Sequence, residues 1–161
     1  MTVLGIDPGT ATTGWAVVTG GVHSQSLIAC GSIVTSKLKD QSVRLEEIYD
    51  EVCGFIKKYK PGVLAIEQLF FNNNLKTAMT VSQTHGVIRL AGQKLSIPTV
   101  EYTPLEIKMA ITGYGRAEKK QIQYMVAKLL KLDKKVTQDD TADAIAVALV
   151  HCYNRSKQKL V

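Results

Sequence analysis

The chain has 161 residues, which suits one domain with a full-sized core. Its 45% hydrophobic content and mean hydropathy of +0.03 are ordinary for a globular protein, and no apolar run nears the roughly 18 residues that span a bilayer. The net charge of +6 biases the chain toward polyanions, nucleic acid or an acidic membrane surface, provided the basic residues gather around a site.

The first residues lack the basic and apolar regions of a secretory leader, and Cys30, Cys53 and Cys152 have no metal-like spacing. We therefore expect a cytoplasmic protein whose cysteines are reduced core thiols.

Val3, Leu4 and Ile6 read as a short buried strand that stops at Asp7-Pro8-Gly9. Pro8 cannot donate to a sheet ladder and Gly9 permits a tight turn, so Asp7 is presented at a strand end. Residues 11–19 read as a second strand, and the two should form a hairpin with Asp7 near its mouth. Residues 25–34 read as a third strand. From Ser42 the period becomes helical, with Leu45, Ile48, Tyr49, Val52, Phe55 and Ile56 on one face, until Pro61-Gly62. Val63 to Glu67 is a strand that ends in a second carboxylate. The order strand, helix, strand implies a parallel crossover in a sheet covered on both sides, with ligands bound at the carboxyl ends of its strands.

Phe70 and Phe71 follow in a loop with Asn72, Asn73 and Asn74. One Phe either anchors that loop to the core or projects to stack on or wedge between bases. Residues 74–95 read as a long helix whose small residues, Gly86 and Gly92 among them, admit a close neighbour from this domain or from a second copy. Each glycine costs about 1 kcal/mol of helix propensity relative to alanine. Thr99 to Tyr102 make a fifth strand. Thr103-Pro104-Leu105-Glu106 fits a capping box that opens a short helix.

The basic residues gather next, from Lys108 to Lys135. A glycine-rich loop, Gly113-Tyr114-Gly115-Arg116, leads into an amphipathic helix over residues 117–131. That helix carries Lys119 and Lys120 at its start, an arrangement suited to phosphate contacts. The last helix opens with Gln138-Asp139-Asp140-Thr141-Ala142-Asp143. Asp140 and Asp143 share one face, and Asp139 is expected to cap the helix. The apolar stretch that follows is expected to bury this helix, so its two same-face acids need a cation.

Four carboxylates thus stand out: Asp7 and Glu67 at strand ends, and Asp140 and Asp143 at a helix start. No histidine or cysteine joins them at ligand spacing, and Ser82 with His85 lacks the third group of a nucleophilic triad. Acid-only clusters suit hard cations such as magnesium or manganese, and two ions roughly 3.5–4 Å apart clamp an in-line displacement at phosphorus. Lysines around such a pocket would hold a nucleic-acid backbone.

On four stretches the chain resembles the RuvC-type Holliday junction resolvases. They are Gly5-Ile6-Asp7-Pro8-Gly9-Thr10, Ala65-Ile66-Glu67-Gln68 with Phe70, Gly113-Tyr114-Gly115-Arg116-Ala117-Glu118-Lys119, and Asp140-Thr141-Ala142-Asp143-Ala144. The resemblance implies an α/β, ribonuclease-H-like fold with a five-stranded mixed sheet flanked by helices, forming one nuclease domain over residues 1–161. It implies a homodimer that cuts two symmetric strands of a four-way DNA junction with magnesium or manganese, two ions per active site, leaving 5′-phosphate and 3′-hydroxyl ends. It implies that Asp7, Glu67, Asp140 and Asp143 are the catalytic, metal-binding acids. DNA contacts would come from Phe70, Lys108 and Lys119, joined by Arg116 and Lys120 from the basic loop and helix start. The same pathway would add branch-migration proteins as partners, and no membrane. A competing reading is an actin-like or sugar-kinase-like nucleotide-binding domain, which opens with a similar strand and turn. That fold needs a second domain and a second phosphate-binding turn, for which the sequence has no counterpart. A catalytically dead DNA-binding module is disfavoured because all four acid positions are filled.

Overall fold

A computed structural model describes residues 1–69, 75–132, 136 and 138–154, with the side chains of 75–77 excluded. The loop carrying Phe70 and Phe71, the lysines at 134 and 135 and the basic end after 154 lie outside the described residues.

In chain order the elements are β1 (Thr2–Asp7), β2 (Thr12–Gly20), β3 (Gln25–Val34), α1 (Gln41–Tyr59), β4 (Val63–Glu67), α2 (Leu75–Lys94), β5 (Thr99–Tyr102), α3 (Pro104–Thr112), α4 (Lys119–Leu129) and α5 (Asp139–Tyr153). The sheet order is β3-β2-β1-β4-β5. β1 and β2 form the expected hairpin, with Asp7 opposite Gly14. β1 and β4 are parallel neighbours, as are β4 and β5. This is the five-stranded mixed sheet expected from the sequence.

Side chains alternate across the pleat, so each strand feeds two cores. Leu4, Ile6, Val17, Leu64 and Ile66 pack against α1 and α2. Val3, Ala16, Val18, Val63 and Ala65 pack against α3, α4 and α5. Within α1, Ile48, Val52 and Ile56 are buried as the periodicity predicts. α5 is buried along nearly its whole length. Its His151 Nδ1 shares a 2.7 Å hydrogen bond with the hydroxyl of Tyr102 on β5.

The capping box at Thr103 and Glu106 is present in both directions. α4 starts later than its sequence pattern suggests. Glu118 is its N-cap, in extended backbone, and forms a second capping box with Gln121. Cys53 and Cys152 are buried, Cys30 is half-buried, and all three are free thiols.

Two close approaches seat α5 on the sheet. A methyl group at Gly5 would lie 2.4 Å from the Ala144 carbonyl oxygen. One at Gly14 would lie 1.9 Å from the Asp140 carbonyl oxygen. Only glycine allows backbone to come this near. The start of α5 is thereby pressed against the strand that faces Asp7.

Candidate active site

Asp7 and Glu67 end two adjacent parallel strands, and their side chains emerge at the same edge of the sheet. The turn after Asp7 is tied down on two sides. Thr10 donates its hydroxyl proton to the Thr80 carbonyl of α2 at 3.1 Å and shares a 2.7 Å bond with the buried Thr84 hydroxyl. Thr35 donates to the Thr10 carbonyl at 2.6 Å, and Arg44 of α1 donates from Nε to Thr35 at 2.8 Å. Thr13 donates to the Gly9 carbonyl. Asp7 is thus presented from a backbone with little freedom.

The other two acids come from α5. Gln138 is the N-cap and Asp139 is the first helical residue, so the expectation that Asp139 caps the helix is corrected. Asp139 instead accepts from Gln123 Nε2 of α4 at 2.6 Å and lies 3.8 Å from Lys119 Nζ. Gln138 uses its side-chain oxygen to accept from Ser32 of β3 and Thr141, which fixes the helix start on the sheet. Lys119 Nζ also lies 3.7 Å from Asp143.

The carboxyls influence one another's charge. Burial pushes Asp7 well above the usual carboxylate range, reinforced by repulsion from Glu67, Asp143 and Asp140, while Lys119 pulls the other way. Burial raises Glu67 to about 7, aided by Asp143 and opposed by Lys119 and Lys108. Asp143 is raised by burial, with Lys119 opposing and Asp139 and Asp140 reinforcing. Asp7 thus feels Asp140 and Asp143 on α5, which puts that pair on the side of the strand-end acids. Glu67, Lys108, Lys119 and Asp143 line a cleft of about 220 Å³ between α3, α4 and α5.

Such a site is a poor holder of its own negative charge and a good one for a divalent cation. Its donors are all carboxylate oxygens, the ligands that hard ions prefer. Among the described residues no three acidic, imidazole or thiol side chains stand close enough to hold an ion in common. That arrangement is compatible with magnesium, which is usually bound through one or two carboxylates, with waters and substrate phosphate completing its shell. The donor set therefore fits such an ion, and the lysines supply the neighbouring positive charge.

The family profile of crossover junction endodeoxyribonuclease RuvC matches residues 3–151. The chain belongs to the RuvC family. It is 46% identical over 154 residues to the RuvC of Syntrophomonas wolfei, covering 96% of this chain and 90% of that protein. It is 48% identical to that of Fusobacterium nucleatum, covering 94% and 80%. The Thermus thermophilus RuvC structure in complex with Holliday junction substrate superposes with a TM-score of 0.90 at 30% identity, covering 95% of this chain and 93% of that one. The family match over nearly the whole chain sets aside the actin-like and kinase-like reading.

Lys108 and Lys119 stand beside the acids, while Arg116 and Lys120 lie exposed on the adjoining loop and helix. Reading the sequence alone missed Gly5, Gly14, Gln123 and the Thr10 ties. The glycines did carry a signal, since glycine inside a strand marks close backbone approach. The threonines carried none, because their partners lie up to 74 residues away.

Proposed function

We propose that this chain is a homodimeric resolvase that cuts four-way DNA junctions by divalent-metal-dependent hydrolysis, with magnesium or manganese as the ion. The observation that carries the proposal is the placement of Asp7 and Glu67 at the ends of adjacent parallel strands, with Glu67, Asp143, Lys108 and Lys119 lining one cleft. Asp7, Glu67, Asp140 and Asp143 would hold the cations, two per site. When bound, the ions lower the pKa of water and stabilise the charge that builds on the leaving oxygen.

The chain's own residues do the rest. Lys108 and Lys119 draw the scissile phosphate over the acids. Arg116 and Lys120 bind flanking phosphates, and Phe70 contacts bases near the junction centre. Lys119, 3.7 Å from Asp143, would turn from that carboxylate to the scissile phosphate, so the ammonium exchanges one anionic partner for another. The products are a 5′-phosphate and a 3′-hydroxyl.

The symmetric cut requires two copies, and α2 supplies a surface for pairing. Met79 and Leu90 are 68% and 50% exposed, and Gly86 between them faces open space, all on one stripe of the helix. Gly92, by contrast, packs within the domain against Thr99 and Leu64. Residues 1–161 act as one nuclease domain. Among the described residues no helix is long and apolar enough to cross a membrane. A resolvase of chromosomal DNA would work in the cytoplasm, beside branch-migration proteins.

A synthetic four-way junction labelled on each strand tests the proposal. The wild type should make paired, symmetric cuts with magnesium and none with chelator, leaving plain duplex intact. Asp7→Asn should slow cleavage by roughly 10³-fold, because metal-derived stabilisation is worth several kcal/mol and each 1.36 kcal/mol is tenfold in rate. Persistent cleavage by Asp7→Asn would refute the role given to Asp7.

A further inference from the structure

A second hollow lies on the same helices as the catalytic cleft and shares only Lys120 with the DNA contacts described so far. It has a volume of about 330 Å³ and is lined by Thr112, Tyr114, Lys120, Gln121, Tyr124 and Met125. Thr112 stands one turn beyond Lys108 on α3, and Lys120 follows Lys119 on α4. On α3 the lining of the hollow thus begins about one helical turn, roughly 5.4 Å, beyond Lys108. A DNA strand carries a phosphate about every 3.4 Å of helix axis, so this offset corresponds to about one to two nucleotides.

Its walls suit a base better than a phosphate alone. Tyr114 and Tyr124 are 56% and 52% exposed, although rings of this size usually bury most of their surface. The Tyr114 N–H donates to the Thr112 hydroxyl at 3.1 Å, which fixes the backbone that carries its ring, and that hydroxyl donates to the Lys108 carbonyl at 2.8 Å. Lys128 Nζ lies over the Tyr124 ring at 5.9 Å. Behind the loop, a side chain at Gly115 would collide with Leu105, so the loop is seated directly on α3. Gln121 spends its carbonyl oxygen accepting from the Glu118 N–H, which leaves its NH₂ as a donor. Among the described residues no carboxylate lines the hollow, while Lys120 does.

We propose that the hollow between Tyr114 and Tyr124 is a base-docking subsite, which takes one unstacked nucleobase of the junction strand about one to two nucleotides from the phosphate that is cut. The proposal rests on the resolvase reading above. An exposed aromatic face accepts any base by stacking, and Lys120 holds the phosphate attached to it. Bases beside a strand exchange have the least stacking to lose, so docking one there selects junctions over continuous duplex. The subsite would also hold the strand in register over the acids.

A base-deletion cycle tests the subsite. Junctions carrying a single abasic residue at successive positions around the cut are bound, in calcium to prevent cleavage, by the wild type, Tyr124→Phe and Tyr124→Ala. Tyr124 is on the surface, so neither substitution disturbs the core. Tyr124→Ala should weaken binding about 5- to 30-fold, in keeping with measured losses for removing one stacking ring. Tyr124→Phe should stay within about twofold, since it keeps the stacking face. An abasic residue at one position should weaken wild-type binding by the same factor and cost Tyr124→Ala nothing further. The subsite is overturned if Tyr124→Ala binds as the wild type does, if Tyr124→Phe loses as much as Tyr124→Ala, or if the two losses multiply at every position. A wild type that fails to cleave the intact junction with magnesium overturns the resolvase reading itself, whereas any of the former results with an active wild type removes only the subsite.

Discussion

Glu67 pays a cost in the metal-free protein. Its carboxyl is raised from 4.5 to about 7, first by burial and then by Asp143, and Asp7 and Asp143 are raised for the same reasons. A folded-state pKa above the unfolded value favours the protonated form in the fold. The stability this contributes is complete below about 4.5 and is lost as pH rises through about 7. Metal-free protein should therefore melt at a higher temperature at pH 5 than at pH 8. Magnesium should narrow that gap, since it binds the ionised form, and Asp7→Asn should narrow it by removing one of the mutually repelling charges. Thermal melts across pH, with and without magnesium, check this, and a stability that climbs from pH 5 to 8 would count against the cluster. The four proposed acids stand out in the sequence because each falls where a strand ends or a helix begins. It assigned Asp139 the wrong task, since whether an acid caps or turns toward a neighbouring helix depends on Gln123 and Lys119, which come from α4.

Between elements, the site depends on how closely α5 lies on the sheet. Gly14 leaves room for the Asp140 backbone, and Gly5 does so for Ala144. In Gly14→Ala the added methyl forces the helix start to withdraw, at a cost of about 1–3 kcal/mol in line with other overpacked sites. The same shift moves Asp140 and Asp143 away from Asp7. Differential scanning calorimetry should show the stability loss, and a magnesium titration of cleavage should show a higher half-maximal concentration. A destabilised variant with unchanged magnesium dependence would mean that the seating of α5 serves stability alone. Most elements were legible from periodicity and punctuation: β3, β4, β5 and the capping box at Thr103 fall where the sequence puts them. The start of α4 was not, because residues 117 and 118 continue its helical pattern in composition while Glu118 takes extended backbone to cap it. Close approach between β2 and α5 was also hidden, since one-dimensional patterning records which residues face inward and not how near two backbones come.

For the whole molecule, a resolvase must present two such sites to one junction. The α2 stripe of Met79, Gly86 and Leu90 is the surface proposed for pairing, and the small residues noted in the sequence divide between the domain interior at Gly92 and the outside at Gly86. Met79→Glu places a charge in that surface and should convert a dimer into a monomer in sedimentation, with paired cuts replaced by single nicks. A monomeric wild type that still makes paired cuts would contradict this assignment. Such a surface is legible in sequence only as a run of small residues, because exposure depends on what the rest of the fold leaves uncovered. The central claim is that Asp7, Glu67, Asp140 and Asp143 form one metal-binding catalytic group while Asp139 stands outside it. Single-turnover cleavage of bound junction by Asp7→Asn, Glu67→Gln, Asp140→Asn, Asp143→Asn and Asp139→Asn tests it most directly. The account predicts that the first four lose cleavage while still binding DNA, and that Asp139→Asn cleaves within about tenfold of wild type, because it removes only a surface ion pair of modest worth. Loss of cleavage in Asp139→Asn with retention in Asp140→Asn would contradict it.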